Sequence, residues 1–310
     1  MPIFRARIVN LPGYGEDSTS HKNGGWTRDK TQLKLGNYAV TIKQRKSALK
    51  FDGNEWRGKQ HDTSTIFVSK VHSLQEGMAV VDDLCWLLSF AHSSRIQAYH
   101  YSYGKRAKGH GVQGTYNEWR PPFHSGVGRV SDFIQQTWPN YQKLKATRPL
   151  SAFIHLIGAS DLGDGGLLEA QVSASVQCLE SIKSYFALTE GARYKITEAN
   201  DGQFLRGKKV MSFEKLLKLT LEDVGMKLPS SFETIRRLRN ALVHRGFIRE
   251  TDNVTKFIFN TTPARGMHGA MFGVMEDAQD ILREYMLRLL GYKGKWCAYS
   301  HKEELYREIT

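Results

Sequence analysis

The sequence predicts an α+β protein: a basic, β-rich domain of mixed α/β character over residues 1–148, followed by an all-helical domain over 149–310. Three observations carry this. The first 70 residues show the two-residue alternation of half-buried strands. Four segments after residue 165 repeat apolar side chains at spacings of three and four, the period of a helix face. The charge is also uneven. The chain has 310 residues and a net charge of +13. Residues 1–150 hold 22 Lys and Arg against 11 Asp and Glu, a balance of +11, while residues 151–310 hold 22 against 20, a balance of +2.

In the first domain, IFRARIV (3–9) alternates apolar and basic residues. NLPGYGEDSTSHKNGG (10–25) reads as a polar loop, and QLKLGNYAVTIK (32–43), SALKFDG (47–53) and TSTIFVSKV (63–71) read as β-like. Residues 73–95 predict a helix, with Ser73 as its cap and Glu76 three residues on. Val80, Val81, Leu84, Leu87, Leu88 and Ala91 form its apolar face. IQAYHYSYG (96–104) is a strand with Tyr99, Tyr101 and Tyr103 on one face. Residues 105–129 form a Gly-rich, basic, aromatic loop or irregular hairpin, and 130–146 a helix interrupted at Pro139.

The character changes near residue 147. PLSAFIHLIGASDLGDG (149–165) is apolar and then Gly-rich, and GASDLGDGG (158–166) suits a flexible interdomain hinge. Helices follow over 166–191, 212–227 (capped by Ser212), 229–248 and 272–294 (closed by Gly291). A strand-like stretch and a loop lie between the last two, at 253–270. Four helices suit antiparallel bundle packing.

Composition narrows the function classes. A basic half favours polyanions, with nucleic acid first. Cys85, Cys178 and Cys297 are odd in number and widely spaced, without a CxxC pair, so a reducing compartment is expected and structural zinc is not. His92, His100, His110, His124 and His155 lack metal-ligand spacing, so no metal and no cofactor is expected. The N-terminal residues lack the apolar core of a signal peptide, and no apolar run approaches the ~18 residues of a membrane span. A cytoplasmic protein without membrane attachment is expected. GASDLGDGG (158–166) lacks the Lys-Ser/Thr of a phosphate-binding P-loop. In the loop over 104–129, Lys105, Arg106, Lys108, Arg120 and Arg129 alternate with Tyr116, Trp119 and Phe123. That pattern suits single-stranded nucleic acid, with bases stacked on aromatics and phosphates held by cations. The alternative is a surface loop whose aromatics pack on their own sheet.

The segment PSSFETIRRLRNALVHRGFI (229–248) concentrates the chemistry. With Arg239 at 0° and about 100° per residue, Phe232, Ile235, Leu238, Leu242 and Val243 fall in one apolar arc. Glu233, Arg237, Asn240 and His244 make a polar stripe. Arg239 projects from the apolar side, where an arginine needs a partner. Either it bonds a carboxylate of a neighbouring helix, Glu180 being a candidate, or this arc is a subunit seam.

Arg239-Asn240, three residues and His244 resemble the R-N-x-x-x-H motif of the HEPN superfamily. CLESIKSYF (178–186) resembles the first HEPN helix, and LREYMLRLLGYKGKW (282–296) the last helix of the ApeA-like HEPN subgroup. DDLCWLLSFAHSSRI (82–96) is similar to the region that precedes HEPN domains there. The resemblance implies a metal-independent endoribonuclease acting as a homodimer, with two motif helices facing one cleft. His244 would move the proton of the 2′-OH or of the leaving 5′-oxygen. Arg239 would hold the scissile phosphate, and Asn240 would orient either the phosphate or His244. Products would be a 2′,3′-cyclic phosphate and a 5′-hydroxyl. Arg236, Arg237 and Arg245 would grip flanking phosphates or form a solvated basic face. His244 would otherwise be a capping or core histidine. The biological role implied is a toxin or abortive-infection effector in anti-phage defence, acting on RNA and answering an invader-derived or host trigger. The alternatives are a catalytically silent HEPN protein that binds RNA or a protein partner, and a regulatory scaffold.

Overall fold

Strand β1 (Phe4–Val9) is an interior strand of the first unit's sheet. Phe4, Ala6 and Ile8 are buried and Arg5 and Arg7 are exposed, as the FRARIV alternation requires. The computed structural model describes the chain apart from residues 1, 13–14, 21, 23, 47, 51–52, 113, 117–119, 125–126, 162–167, 230, 246–265 and 301–305. The side chains of residues 53–54, 168, 243–245 and 266–271 also lie outside that description. The fold is α+β.

β1 joins a seven-stranded sheet with β2 (Asp17–Ser20), β3 (Trp26–Leu35), β4 (Tyr38–Gln44), β5 (Asp62–Ser69), β6 (Gln97–Tyr103) and β7 (Arg106–Gly109). The order is β2-β3-β4-β5-β1-β6-β7, and every neighbouring pair is antiparallel. Phe4 lies opposite Val68, and Ala6 lies between Ile66 and Tyr101, so one face collects the apolar side chains. Helix α2 (Leu74–Ala91) covers β1 and β6 from that face. The Ser73 side chain accepts from the Glu76 N–H at 3.1 Å, and Glu76 accepts from the His72 N–H and the Tyr38 hydroxyl. These bonds hold the Glu76 carboxyl below its ordinary range. Gly77 lies against the Phe4 ring so closely that an added Cβ would overlap it.

Several expectations are corrected here. The described residues of 47–53 do not form a strand. Ala48–Lys50 is a 3-10 turn, and α1 (Gly53–Trp56) is one helical turn. Ala48 and Trp56 pack with Tyr116 in a small separate core. The polar loop over 10–25 contains β2, and 32–43 is split by a turn in which Gly36 has φ +59°. Arg106–Gly109, read as loop or irregular hairpin, pairs regularly with β6. Helix α3 (Val130–Leu144) runs through Pro139 without interruption. Phe133 and Ile134 before the proline, and Trp138 and Tyr141 beside it, are all buried and anchor both halves.

The chain divides into two units. The first is Met1–Lys143 with Leu290–Cys297 and Tyr306–Thr310, and the second is Leu144–Leu289 with Ala298–Leu305. Residues 290–297 and 306–310, placed in the helical domain from sequence, therefore group with the first. They carry the hairpin of β11 (Gly294–Cys297) and β12 (Tyr306–Ile309).

The second unit contains α4 (Leu150–Ala159), α5 (Leu168–Glu190), α6 (Phe213–Asp223), α7 (Phe232–Arg245) and α8 (Gly266–Leu289). Ser212 caps α6 by accepting from the Lys215 N–H at 3.3 Å. α5 is central and meets α4, α6, α7 and α8. The unit is not purely helical: β8 (Ile196–Glu198), β9 (Phe204–Arg206) and β10 (Lys209–Val210) form a small antiparallel sheet. Its core holds a charged network. Arg283, fully buried, bonds Asp161 at 2.7 Å and Asp280 at 3.2 Å, and Asp280 also accepts from the Tyr299 and Ser300 N–H groups at 2.7 Å.

Candidate functional site

The site is built on α7. Phe232, Ile235, Leu238 and Leu242 are buried, as the apolar arc requires. Thr234 and Ala241 are buried too, so α7 is enclosed over a wider arc than its apolar stripe suggests. Arg239 lies on the border of that arc. Its Nε donates to Glu180 Oε1 on α5 at 2.7 Å, and its Nη1 donates to Asn240 Oδ1 at 3.0 Å. Its guanidinium carbon sits 5.2 Å from the centre of the Phe213 ring, which itself stacks on Phe232. Glu180 is shared with Lys183 at 2.7 Å. This is the carboxylate partner that the structural reading of Arg239 asks for. The arginine is not sealed in: 24% of its side chain stays accessible, and 28% of Glu180.

Arg236 and Arg237 converge on Glu233 one turn earlier. Arg236 bonds it through two nitrogens at 2.9 and 2.8 Å, and Arg237 through Nε at 2.7 Å. Those bonds, Arg236 first, hold the Glu233 carboxyl down at about 2. In return, Glu233 and then the charge of Glu214 favour the protonated Arg236. Lys183, Arg236, Arg237 and Arg239 thus lie with Glu180, Glu214 and Glu233 in one charged cluster. His244 and Arg245 belong to the last turn of α7, and their side chains lie outside the described residues.

The basic residues of the first unit are placed differently. Lys105 is in the β6–β7 turn, and Arg106 and Lys108 lie on β7, an exposed strand at the sheet edge. Lysine and arginine there also deter edge-to-edge pairing. Trp119 lies outside the described residues. Arg120 has a left-handed backbone, with φ 50°. Tyr116 and Phe123, expected among the base-stacking aromatics, are both 2% exposed. Tyr116 packs on Trp56, and Phe123 on Phe133 and Tyr292. These two rings serve their own core. Arg129 pairs with Glu16 at 3.0 Å.

A second constellation was not legible in the sequence. In the first unit, Asp82 and Trp86 of α2, Arg95 after it, and Tyr101 and His110 around the β6–β7 hairpin line one cleft. The available signal was the four-residue spacing of Asp82 and Trp86, which puts them on one helix face. Placing Arg95 beside them requires the chain to turn after Ala91.

Among the described residues, no group of three or more His, Cys, Asp or Glu side chains is arranged to hold a metal ion. Among the same residues, no helix is long and apolar enough to cross a membrane. Cys85, Cys178 and Cys297 are buried free thiols, and burial pushes those of Cys85 and Cys178 far up. Comparison with protein-family models, with curated proteins and with solved structures finds no match for the chain.

Proposed function

We propose that the second unit is a metal-independent endoribonuclease module, with the Arg239-Asn240-x-x-x-His244 segment of α7 as its reacting element. The observation that supports this reading is the state of Arg239. It is oriented by Glu180 and Asn240 yet still accessible, with Lys183, Arg236 and Arg237 in the same charged cluster. A guanidinium held in that way is suited to grip a phosphodiester by its remaining N–H groups. RNA carries its own nucleophile, so an imidazole to move the proton and an arginine to stabilise the phosphorane charge suffice. The products would carry 2′,3′-cyclic phosphate and 5′-hydroxyl ends. In this reading two copies pair through α7 to complete the cleft, and the activity serves as a toxin or abortive-infection effector in defence against phage.

The deciding experiment incubates the purified protein with total RNA in EDTA. Cleavage is expected from the wild type and absent from His244→Ala and Arg239→Ala. Equal cleavage by all three would identify a contaminant and remove the assignment. A second reading, a silent HEPN-like protein that binds RNA or a protein partner, is favoured by the ion pair itself, since Arg239 is already satisfied by Glu180. RNA retention without cleavage would select it.

A further inference from the structure

The cleft in the first unit has the build of a small-ligand site. Helix α2 ends at Ala91, and Ser93, with φ 44°, turns the chain back on itself. Arg95 then lands with its guanidinium carbon 3.7 Å from the centre of the Trp86 ring. The turn does not depend on that contact. Ser89 Oγ accepts from the Ile96 N–H at 2.9 Å, and the Arg95 carbonyl accepts from Asn10 Nδ2 at 3.2 Å. Among the described residues, no carboxylate lies within ion-pair distance of the Arg95 guanidinium, and its planar N–H fork stands beside a cleft of about 660 Å³. Burial already disfavours its charge, although the charge of Asp82 across the cleft favours its protonated form. On the other wall, the Tyr101 hydroxyl donates to Asp82 Oδ1, and the His110 ring stands edge-on to Tyr101 with centroids 5.4 Å apart. Cys85, Ile96 and Ala98 supply an apolar floor.

These features select the ligand. An unpaired, stacked guanidinium asks for an oxyanion. Asp82 would repel a ligand that is anionic throughout, so the ligand must also present N–H donors to it, as the edges of nucleobases do. The volume lies within the ~300–1,000 Å³ typical of small-molecule sites and exceeds the need of bare phosphate. We propose that this cleft binds a free nucleoside phosphate, with its phosphate on Arg95 and His110 and an amino or ring N–H edge of its base on Asp82. The proposal does not depend on ribonuclease activity, and its test contains no RNA.

The full chain is titrated by calorimetry with the four ribonucleoside 5′-phosphates, the matching nucleosides and inorganic phosphate. At least one nucleotide is expected to bind about tenfold tighter than its nucleoside and than phosphate. Arg95→Met keeps the stem over Trp86 and should weaken that binding about tenfold, while Asp82→Asn should change the order of preference among bases. Arg95→Lys replaces the methionine variant if the latter fails to melt cooperatively. The proposal is overturned if no nucleotide binds by about 10 mM, if nucleoside and nucleotide bind alike, or if the folded Arg95 variant binds as well as the wild type.

Discussion

The Arg239–Glu180 pair makes a prediction that the helix positions alone do not. Two unit charges about 4 Å apart at an effective dielectric of about 20 attract by roughly 4 kcal/mol. Desolvation and the ordering of two long side chains offset much of that. Hydrogen bonds to charged groups net about 1.5–3 kcal/mol, and fully exposed pairs below about 1. With 24% and 28% of the two side chains accessible, the pair lies between these limits. A coupling of about 1–2 kcal/mol is therefore expected. The measurement is a double-mutant cycle of Arg239→Met, Glu180→Gln and the double variant, read from urea unfolding of the full chain. Glu180 also bonds Lys183 at 2.7 Å, so Glu180→Gln alone overstates the pair, but that loss appears in both backgrounds and cancels. Coupling below about 0.3 kcal/mol, the scatter expected of independent sites, would refute the idea that Glu180 fixes this arginine.

Three other perturbations test the same structure. Arg283→Met leaves Asp161 and Asp280 buried without their cation, so the second unit should lose about 3–5 kcal/mol, seen as a lowered urea midpoint; an unchanged midpoint would mean the network does not stabilise. Gly77→Ala places a methyl group into the Phe4 ring at the sheet–helix contact and should lower stability by about 1–3 kcal/mol, against the gain that alanine normally brings to a helix interior. The Glu233 carboxyl is depressed from 4.5 to about 2, so its contribution is present above pH 4.5 and is lost as pH falls toward 2. Because Glu233, Arg236 and Arg237 keep 37–41% of their side chains accessible, solvent screening limits the effect to about 0.5–1 kcal/mol. The stability gap between the wild type and Glu233→Gln should close over that pH range, and a gap independent of pH would contradict the pairing.

What the sequence made legible was what repeats or caps. The faces of α2, α5, α6 and α7 extend over three or more turns, and Ser73 and Ser212 mark starts that the structure keeps. β1 announces itself because arginines alternate with buried residues. Elements that owe their existence to distant partners were hidden. β2 carries no apolar side chain and forms by edge pairing with β3. The strands of the small sheet in the second unit are two or three residues long, too short to show a period. Helix α4 is so apolar that its period is masked. SALKFDG reads as β-like only until Ala48 and Trp56 are seen packing on Tyr116, sixty residues beyond Trp56.

The candidate site shows the same division one level up. Angular position on α7 implied that Arg239 needs a partner, either a carboxylate of a neighbouring helix, with Glu180 as a candidate, or a subunit seam. Yet that satisfied arginine serves two chemistries equally well. A carboxylate that fixes a guanidinium can be the whole purpose, or it can be the support that keeps the remaining N–H groups aimed at a phosphate. Geometry separates these only through charge. Lys183, Arg236 and Arg237 belong to the same charged cluster as Arg239 and would add to its attraction for an anion. Such attraction is screened by salt. RNA binding at α7 should therefore weaken steeply with ionic strength, and Glu180→Gln, by raising the local positive charge, should tighten binding even where it disturbs cleavage. Tighter binding with slower cleavage would identify Glu180 as the group that positions Arg239. Looser binding would mean that the pair holds the helix in shape and that Arg239 does not meet the phosphate.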